Sequence, residues 1–579
     1  MLGPVPHSLA RHTGLLAVLL GALSCGDTPR AVFENVTDSA GLDVVLTCGE
    51  PGAKATILEV NGNGIALLDV DGDDDLDVFL VDGSTRARLL AGEGIAHHLF
   101  LNVGAARGQL RFERADVQLP LSRGWPTGVA VADVDSDGRP DLLLGGLGED
   151  TLLLNRSSEA GLAFESRALP PSPGSTSWTT SVALADADGD GLLDAYLTRY
   201  LDIDPADPPI GAVDGLPCRF KERGVMCGPH GLHPQPDVFL RGVASPEFFV
   251  LDSERSDLRV PTPAYGLGVL FQDLDLDGWP DLYVANDSVA NFLFRNLGDG
   301  RFEERARAAG AANDSAGRPQ AGMGVDAADA DGDGDLDLIV TNFSEESNAL
   351  YRHEGKLLYR DRAIPTGLAA SSRALLGWGV HLAELTGDGV VDVLFSNGHV
   401  YPEADGPDTG TSYAQPLVLL PGLGKERFDR NAFGDDSAHR GRGSVLGDLD
   451  GDGDLDLIAL TLDGRPRVYR NTTDAPERQL LVSLQGAAPA HPDALGASLR
   501  VRTAAGWQVV SRRSSSGFQS VSDPRLHIAG PAPVLEAEVI WPGGARESLP
   551  PDDLRFGSWC RVRQGAGVIS HELLEKTTR

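Results

Sequence analysis

Along this chain a short apolar run led by glycine is followed by nine residues in which acids alternate with small residues, and then by a second apolar run. Gly128-Val-Ala-Val-Ala132 leads into Asp133, Asp135, Asp137 and Asp141, and Leu142 to Leu144 follow. The apolar runs are too short for helices and are bounded by turn residues, so each reads as a strand and the acidic stretch as the loop between two strands. The unit recurs along the chain. Its other complete copies are Asp69, Asp71, Asp73 and Asp77; Asp186, Asp188, Asp190 and Asp194; Asp273, Asp275, Asp277 and Asp281; Asp329, Asp331, Asp333 and Asp337; and Asp448, Asp450, Asp452 and Asp456. A seventh copy keeps the frame but reads Glu384, Thr386, Asp388 and Asp392. Five places before each first acid stands Gly64, Gly128, Ser181, Gly268, Gly324, Gly379 or Gly443.

Successive first acids are 64, 53, 87, 56, 55 and 64 residues apart. Such spacings suit one four-stranded blade each, and seven blades lie within the range that closes a ring. The expected fold is therefore all-β: a seven-bladed β-propeller over about residues 30–475. The 87-residue gap requires an insert at about 202–237, expected to protrude between blades three and four. Beyond the repeats, the apolar strands Leu480 to Leu484, Ala497 to Val501 and Val534 to Ile540 predict a small β-sandwich-like domain over 478–567. Trp541 reads as its core anchor and 570–579 as a polar tail.

Composition agrees with many strands and tight turns, with 70 glycines, 37 prolines and 6% aromatics. The balance of 84 acids against 49 Lys and Arg, a formal charge of -35, repels phosphate backbones and excludes nucleic acid as a natural partner. Much of that acidity sits in the repeated loops. Alternating side chains at positions 1, 3 and 5, a carbonyl at 7 and the acid at 9 present hard oxygens to one point, which suits Ca2+ better than Mg2+ or Zn2+. One such loop could be a solvated turn, but six copies of four close carboxylates call for a cation. The six complete loops use 24 of the 84 acids, and six Ca2+ would change -35 to -23. Strands on both sides, and a nine-residue frame, exclude the helix-flanked 12-residue EF-hand. Glycine at position 6 (Gly138, Gly191, Gly278, Gly334, Gly453) permits the sharp turn; Asp74 in the first loop is expected to adopt the same left-handed backbone. The Glu384 loop, with Asp388 and Asp392, is expected to bind calcium poorly or not at all.

At the amino end, Arg11 and His12 precede the apolar run Gly14 to Leu23, and Ala22-Leu23-Ser24-Cys25 resembles a lipobox. Residues 1–25 are expected to be an export signal, and membrane association to come only through lipid on Cys25. The protein is expected at the bacterial outer membrane or cell surface as a lipoprotein, or otherwise secreted. In an oxidising compartment Cys218 and Cys227 are expected to pair, while Cys48 and Cys560 are left either bridged or as free buried thiols.

The acidic loops with their leading glycines resemble the FG-GAP, or VCBS-type, repeats of propellers such as the integrin α head. The phrases Ala321-Gly-Met-Gly324, Gly377-Trp-Gly379, Ser396-Asn-Gly-His-Val400 and Cys227-Gly-Pro-His-Gly231 are similar to those of cartilage-acidic-protein-related bacterial proteins. The carboxy region resembles the ASPIC/UnbV domain through Leu480-Leu-Val-Ser-Leu484, Gly496-Ala497, Ser516-Gly517 and Trp541-Pro-Gly543, with His527-Ile-Ala-Gly530 departing from the family pattern. The resemblance implies an exported binding or adhesion module with an extracellular protein or glycan partner. No nucleophile elbow, phosphate loop, zinc motif or haem attachment appears. The alternative is an enzyme seated in the propeller's central channel, acting on a polysaccharide or with a quinone. His230, His233 and Asp237 in the insert are the candidates for a metal or acid-base cluster, weighed against plain surface positions, and His399 reads as a packing residue.

Overall fold

The computed structural model describes Gly3 and residues 33–574, apart from 53, 106–107, 171–176, 253–257, 259–262, 426, 474 and 532. Apart from Gly3, the expected export signal, with Cys25, lies outside the described residues. Among those that are described, no helix is long and apolar enough to cross a membrane.

Seven sheets carry the acidic loops. Their first strands are Ile65–Leu68, Gly124–Ala132, Thr179–Ala185, Gly266–Gln272, Gly322–Ala328, Gly377–Ala383 and Gly441–Gly447. Each first strand pairs antiparallel with a second strand that starts at loop position 9, as in Leu68 opposite Asp77 and Gln272 opposite Asp281. The first strands neighbour one another in a closed cycle, the last lying beside the first, so they line a central channel. The amino-terminal strand Phe33–Asn35 pairs with Arg467–Asn471 and forms the outer strand of the last sheet. The ring is thus fastened by the two ends of the repeat region.

The leading glycines sit where adjacent inner strands come closest. A Cβ on Gly268 would lie 2.2 Å from Met323 O, and one on Gly324 would lie 2.1 Å from Trp378 O. The register shifts in the same place, between Gly266 and Gly268 and between Gly322 and Val325. Glycine is needed because the strands converge there.

The insert corrects the sequence expectation of a loop between blades three and four. It leaves and re-enters within the third sheet, between Asp194–Arg199 and Val238–Gly242, anchored by pairing of Leu201–Asp202 with His233–Pro234. It also folds inward: Phe220, Val225, Met226 and Cys227 pack into the cluster that contains Trp178, Met323 and Trp378. Cys218 and Cys227 are joined by a disulfide, whereas Cys48 and Cys560 are free and buried.

The carboxy-terminal domain is a sandwich of two four-stranded sheets, one containing Gln479–Gln485 parallel to Ser558–Arg563, the other centred on Ser498–Arg502. Leu480, Val482, Leu499, Val539 and Trp541 fill the space between them. The expected polar tail is in part ordered: Gly567–Leu573 is a strand paired with Ser558–Arg563.

This domain stands on the face of the ring that carries the acidic loops, and one of its segments enters the channel. From Ser511 to Asp523 the chain touches the inner strand of every blade. Ser511 Oγ accepts from Gln272 Nε2 at 2.9 Å, and Arg513 pairs with Asp326. Ser514 O accepts from Val131 N at 3.1 Å, and its hydroxyl accepts from Leu184 N at 2.7 Å. Gly517 O accepts from Val325 N at 3.0 Å, while Ser520–Val521 adds to the first sheet, parallel to Ile65 and Ala66. A Cβ on Gly517 would lie 3.0 Å from Val380 O, and Asp523 N donates to Leu446 O at 2.9 Å. Inner-strand groups with no partner in the next blade thus find one in the segment.

Candidate metal centres

Each acidic loop is held by its own backbone amides. In the first, Asp69 accepts from the amides of Gly72, Asp73 and Asp74 at 2.7, 3.2 and 3.0 Å. The ninth acid ties the loop to the sheet: Asp77 accepts from Val70 N at 3.0 Å and from Asn102 N, in the third strand, at 2.8 Å. Asp141, Asp194, Asp281, Asp337, Asp392 and Asp456 repeat this double acceptance.

The backbone turns left-handed twice, at positions 4 and 6. In the first loop Gly72 and Asp74 have φ of 83° and 71°, so Asp74 takes the conformation expected of it. Position 4 went unnoticed in the sequence because glycine is not constant there; Ser136 and Leu276 hold φ of 57° and 56°. For Leu276 the cost is met by docking, since its side chain packs with Val509 and Ile540 and its carbonyl accepts from Arg546 at 2.6 Å.

The amides fix the first acid in place, and the carboxylates of each loop converge. Ligand atoms of Asp69, Asp71 and Asp77 lie within 4.8 Å of one another, as do those of Asp133, Asp135 and Asp141, and of Asp273, Asp275 and Asp281. Asp186, Asp188 and Asp190, and Asp329, Asp331 and Asp333, form equivalent groups. The decisive detail is at position 3. Asp135 Oδ1, Asp188 Oδ1, Asp275 Oδ1 and both oxygens of Asp450 are buried without a hydrogen-bond partner. A buried carboxylate oxygen without a donor is costly, and these point to where a cation would sit. Arginines from neighbouring strands supply partial charge balance: Arg295 reaches Asp275 and Asp277, each at 3.0 Å, and Arg156 pairs with Asp135 and Asp137. They still leave the third-position oxygens of Asp135 and Asp275 orphaned.

Electrostatics give the same answer. Burial, with neighbouring carboxylates adding to it, pushes Asp77, Asp141, Asp273 and Asp329 up to about 8, and Asp194 up to about 7. Such a set binds protons at neutral pH unless a cation replaces them. The donor set fits Ca2+: all oxygen, several carboxylates, and a loop without the strict octahedral geometry that Mg2+ demands. The last loop has a further acid that the sequence reading passed over. Asp454, at position 7, has both oxygens buried and unpartnered, and burial raises it well above the ordinary value.

The sixth loop closes on itself. Glu384 Oε1 accepts from Thr386 N, the Thr386 hydroxyl and Asp388 N at 3.0, 3.1 and 3.0 Å. The hydroxyl supplies the donor where the other loops have a second carboxylate. Glu384 Oε2 is buried without a partner, and burial pushes the carboxyl up to about 7, so a proton can neutralise what a metal neutralises elsewhere. Thr386→Val should cost about 1–3 kcal/mol, by the same amount with or without calcium. Denaturant melts in calcium and in EGTA test this, and a calcium-dependent loss would return the loop to the metal-binding class.

The second domain completes the outer side of these loops. Arg525 donates to Asp448 O at 2.9 Å and is paired with Asp523; Asp493 Oδ2 accepts from Asp133 N at 3.2 Å; Trp507 N donates to Gly332 O at 3.2 Å. A Cβ on Gly278 would strike Gly544 at 2.2 Å, and one on Gly191 would lie 2.4 Å from Pro489 O. The sixth glycine thus serves the domain contact as well as the turn.

The other sequence candidates fall elsewhere. Asp237 accepts from Tyr196 Oη at 2.9 Å and Arg199 N at 2.7 Å, while His230 and His233 are exposed, so the three do not share a site built on Asp237. His399 packs between Phe220 and Phe343, at 4.9 and 5.2 Å, and burial lowers it to about 3. Trp541 is a core residue of the second domain, its Nε1 donating to Glu547 at 3.0 Å.

Comparison with known proteins adds the following. Residues 69–144, 133–197, 273–340 and 329–395 match a model of the FG-GAP-like repeat, and 487–567 match ASPIC and UnbV. Cartilage acidic protein 1 of Mus musculus is 26% identical over 426 residues, covering 68% of this chain and 56% of the relative; the Homo sapiens protein is 25% identical over 389 residues, covering 57% and 55%. The chain thus spans just over half the length of the curated relatives it matches. Among solved structures, a lectin of Agrocybe aegerita that recognises non-reducing terminal N-acetylglucosamine aligns over 63% of this chain and 82% of its own at 15% identity and a TM-score of 0.37. YCF48 bound to a D1 peptide aligns over 74% and 98% at 8% identity and a TM-score of 0.39.

Proposed function

From a chain that carries FG-GAP-like repeats followed by an ASPIC and UnbV domain, we propose an exported binding or adhesion module whose partner is an extracellular protein or glycan, with Ca2+ held structurally in six of its seven acidic loops. The observation that carries the calcium part is the recurring orphan oxygen at position 3, present in Asp135, Asp188, Asp275 and Asp450 and replaced by a hydroxyl at Thr386. The similarity to cartilage acidic protein 1 and the Cys218–Cys227 disulfide support an extracellular setting. In this reading lipid on Cys25 holds the protein at the bacterial surface; labelled fatty acid incorporated by the native chain and lost on Cys25→Ser tests it.

The alternative of an enzyme seated in the central channel meets a channel filled by residues 511–523 from the side of the loops. Any chemistry in the channel is confined to its opposite mouth.

Native mass spectrometry in millimolar calcium should count six Ca2+ per chain, and Asp450→Asn should leave five. Seven would overturn the reading of the Glu384 loop, and none would overturn calcium altogether. Arrays of glycans and extracellular proteins then identify the partner; a calcium-loaded protein that binds nothing on either array would count against the adhesion role.

A further inference from the structure

The four phrases that resemble cartilage-acidic-protein-related sequences play no part in the acidic loops, yet the fold gathers them in one place. Met323, Trp378, Val400 and Gly228 to Gly231 all line a cavity of about 600 Å³. It lies at the channel mouth opposite the acidic loops, because Tyr200, Asp287 and Phe343 follow the far ends of second strands that begin at those loops. The disulfide-stapled insert roofs it. The size falls within the roughly 300–1,000 Å³ of small-molecule sites.

Its walls are aromatic: Tyr200, Phe220, Phe343, Trp378 and Tyr401. Phe220 arrives on the insert, on a tight turn between Cys218 and Cys227, and its ring stands 5.5 Å from Tyr401 and 6.1 Å from Phe343. The charged and titratable groups that line it are Asp214, Asp287 and Glu346, with Arg219 and His230 on the insert. Asp287 accepts from Tyr200 Oη at 2.6 Å and from Ser288 Oγ at 2.8 Å; Glu346 Oε2 accepts from Ala321 N at 2.8 Å. Arg318, whose charge reaches Glu346, is paired with Asp314 at 2.7 Å; on the insert, His230 faces Asp287 and Arg219 donates to Glu222 O at 3.4 Å. Burial first, and the charge of Asp287 in addition, pushes Glu346 up to about 7. On the propeller side Asn61 Nδ2 is buried with no acceptor. Asp287 and Glu346 among aromatic faces favour a cation, and an orphan amide donor favours an oxygen or ring acceptor beside it.

We propose that this cavity binds a small organic cation, a protonated amine carried on an apolar ring skeleton, with Asp287 and Glu346 facing the charge and the stapled insert closing the aromatic wall. The proposal goes beyond the adhesion reading and does not depend on calcium. Three indoles of one shape test it by calorimetry on the full chain: tryptamine, tryptophol and indole-3-acetate. Tryptamine should bind at least about tenfold tighter than tryptophol, and indole-3-acetate more weakly than either. The Asp287→Asn, Glu346→Gln pair should bring tryptamine to the level of tryptophol without altering the near-ultraviolet circular dichroism. Cys218→Ser with Cys227→Ser, which frees Phe220, should weaken tryptamine and tryptophol alike. Equal affinity for amine and alcohol would overturn the role of the acids, and binding of none of the three at about millimolar concentration would overturn the site.

Discussion

Chelating calcium with EGTA should lower the melting temperature by more than about 10 °C and release the carboxy-terminal domain from the ring. If each loop binds at roughly 10⁻⁴ M, calcium at about 2 mM contributes about 1.8 kcal/mol per site. Six independent sites then rival the whole stability of an ordinary domain. The release follows from geometry, because the loops are the surface on which the second domain stands. Asp448 O receives Arg525, Gly332 O receives Trp507 N, and Gly278 lies against Gly544. Unbalanced carboxylates push a loop open, and these contacts go with it. Differential scanning calorimetry and limited proteolysis near Pro476 read both effects; an unchanged melt and an uncut chain would sink the structural role of the metal.

The same experiment has a pH signature. Without metal, Asp77, Asp141, Asp273 and Asp329 titrate near 8 in the folded chain, against 3.8 ordinarily. Between those values the folded state holds protons that the unfolded chain has released, so stability falls as pH rises through the window. The chelated protein should melt higher at about pH 5.5 than at about pH 8. With calcium bound the carboxylates are ionised in both states, and this fall should disappear.

Phe518→Ala should cost about 3–5 kcal/mol, the range for emptying an aromatic site in a packed core. Phe518 is fully buried, at the tip of the segment that fills the channel. Its ring lies 4.9 Å from Trp378, in the cluster that includes Trp125, Trp178, Leu267 and Met323. The cluster it belongs to draws residues from at least five blades, so emptying its site is not repaired by moving any single blade. The variant should remain folded in both domains but become sensitive to protease between them. A loss below about 1 kcal/mol with unchanged protease resistance would show that the segment rests in the channel without holding it.

Much of the site was legible before any coordinates. Asp at positions 1, 3, 5 and 9 is a local pattern, and a nine-residue hairpin loop places those side chains by its own backbone, so spacing alone identified Asp69 to Asp77 and its copies. The pairing of Cys218 with Cys227 was legible for the same reason, the two lying nine positions apart. Harder to see were the groups that complete each loop from elsewhere. The Asn102 and Asn155 amides, Arg295 and Arg525 lie in other strands or another domain, and none belongs to a recurring motif.

By itself, then, the sequence determined the strand–loop–strand unit, its repetition, and which copy had exchanged a carboxylate for the Thr386 hydroxyl, because each depends on neighbours along the chain. Only the tertiary structure decided how the ring closes and what fills it. The closing strand Phe33–Asn35 finds Arg467–Asn471 from the other end of the repeats, and the filling segment is rich in Ser residues, several of whose partners are backbone groups of the inner strands. Hydrophobic periodicity reports which face of a strand is buried, not which distant strand buries it. A run such as Ser514 to Gly517 looks like a loop until the channel around it supplies its hydrogen bonds.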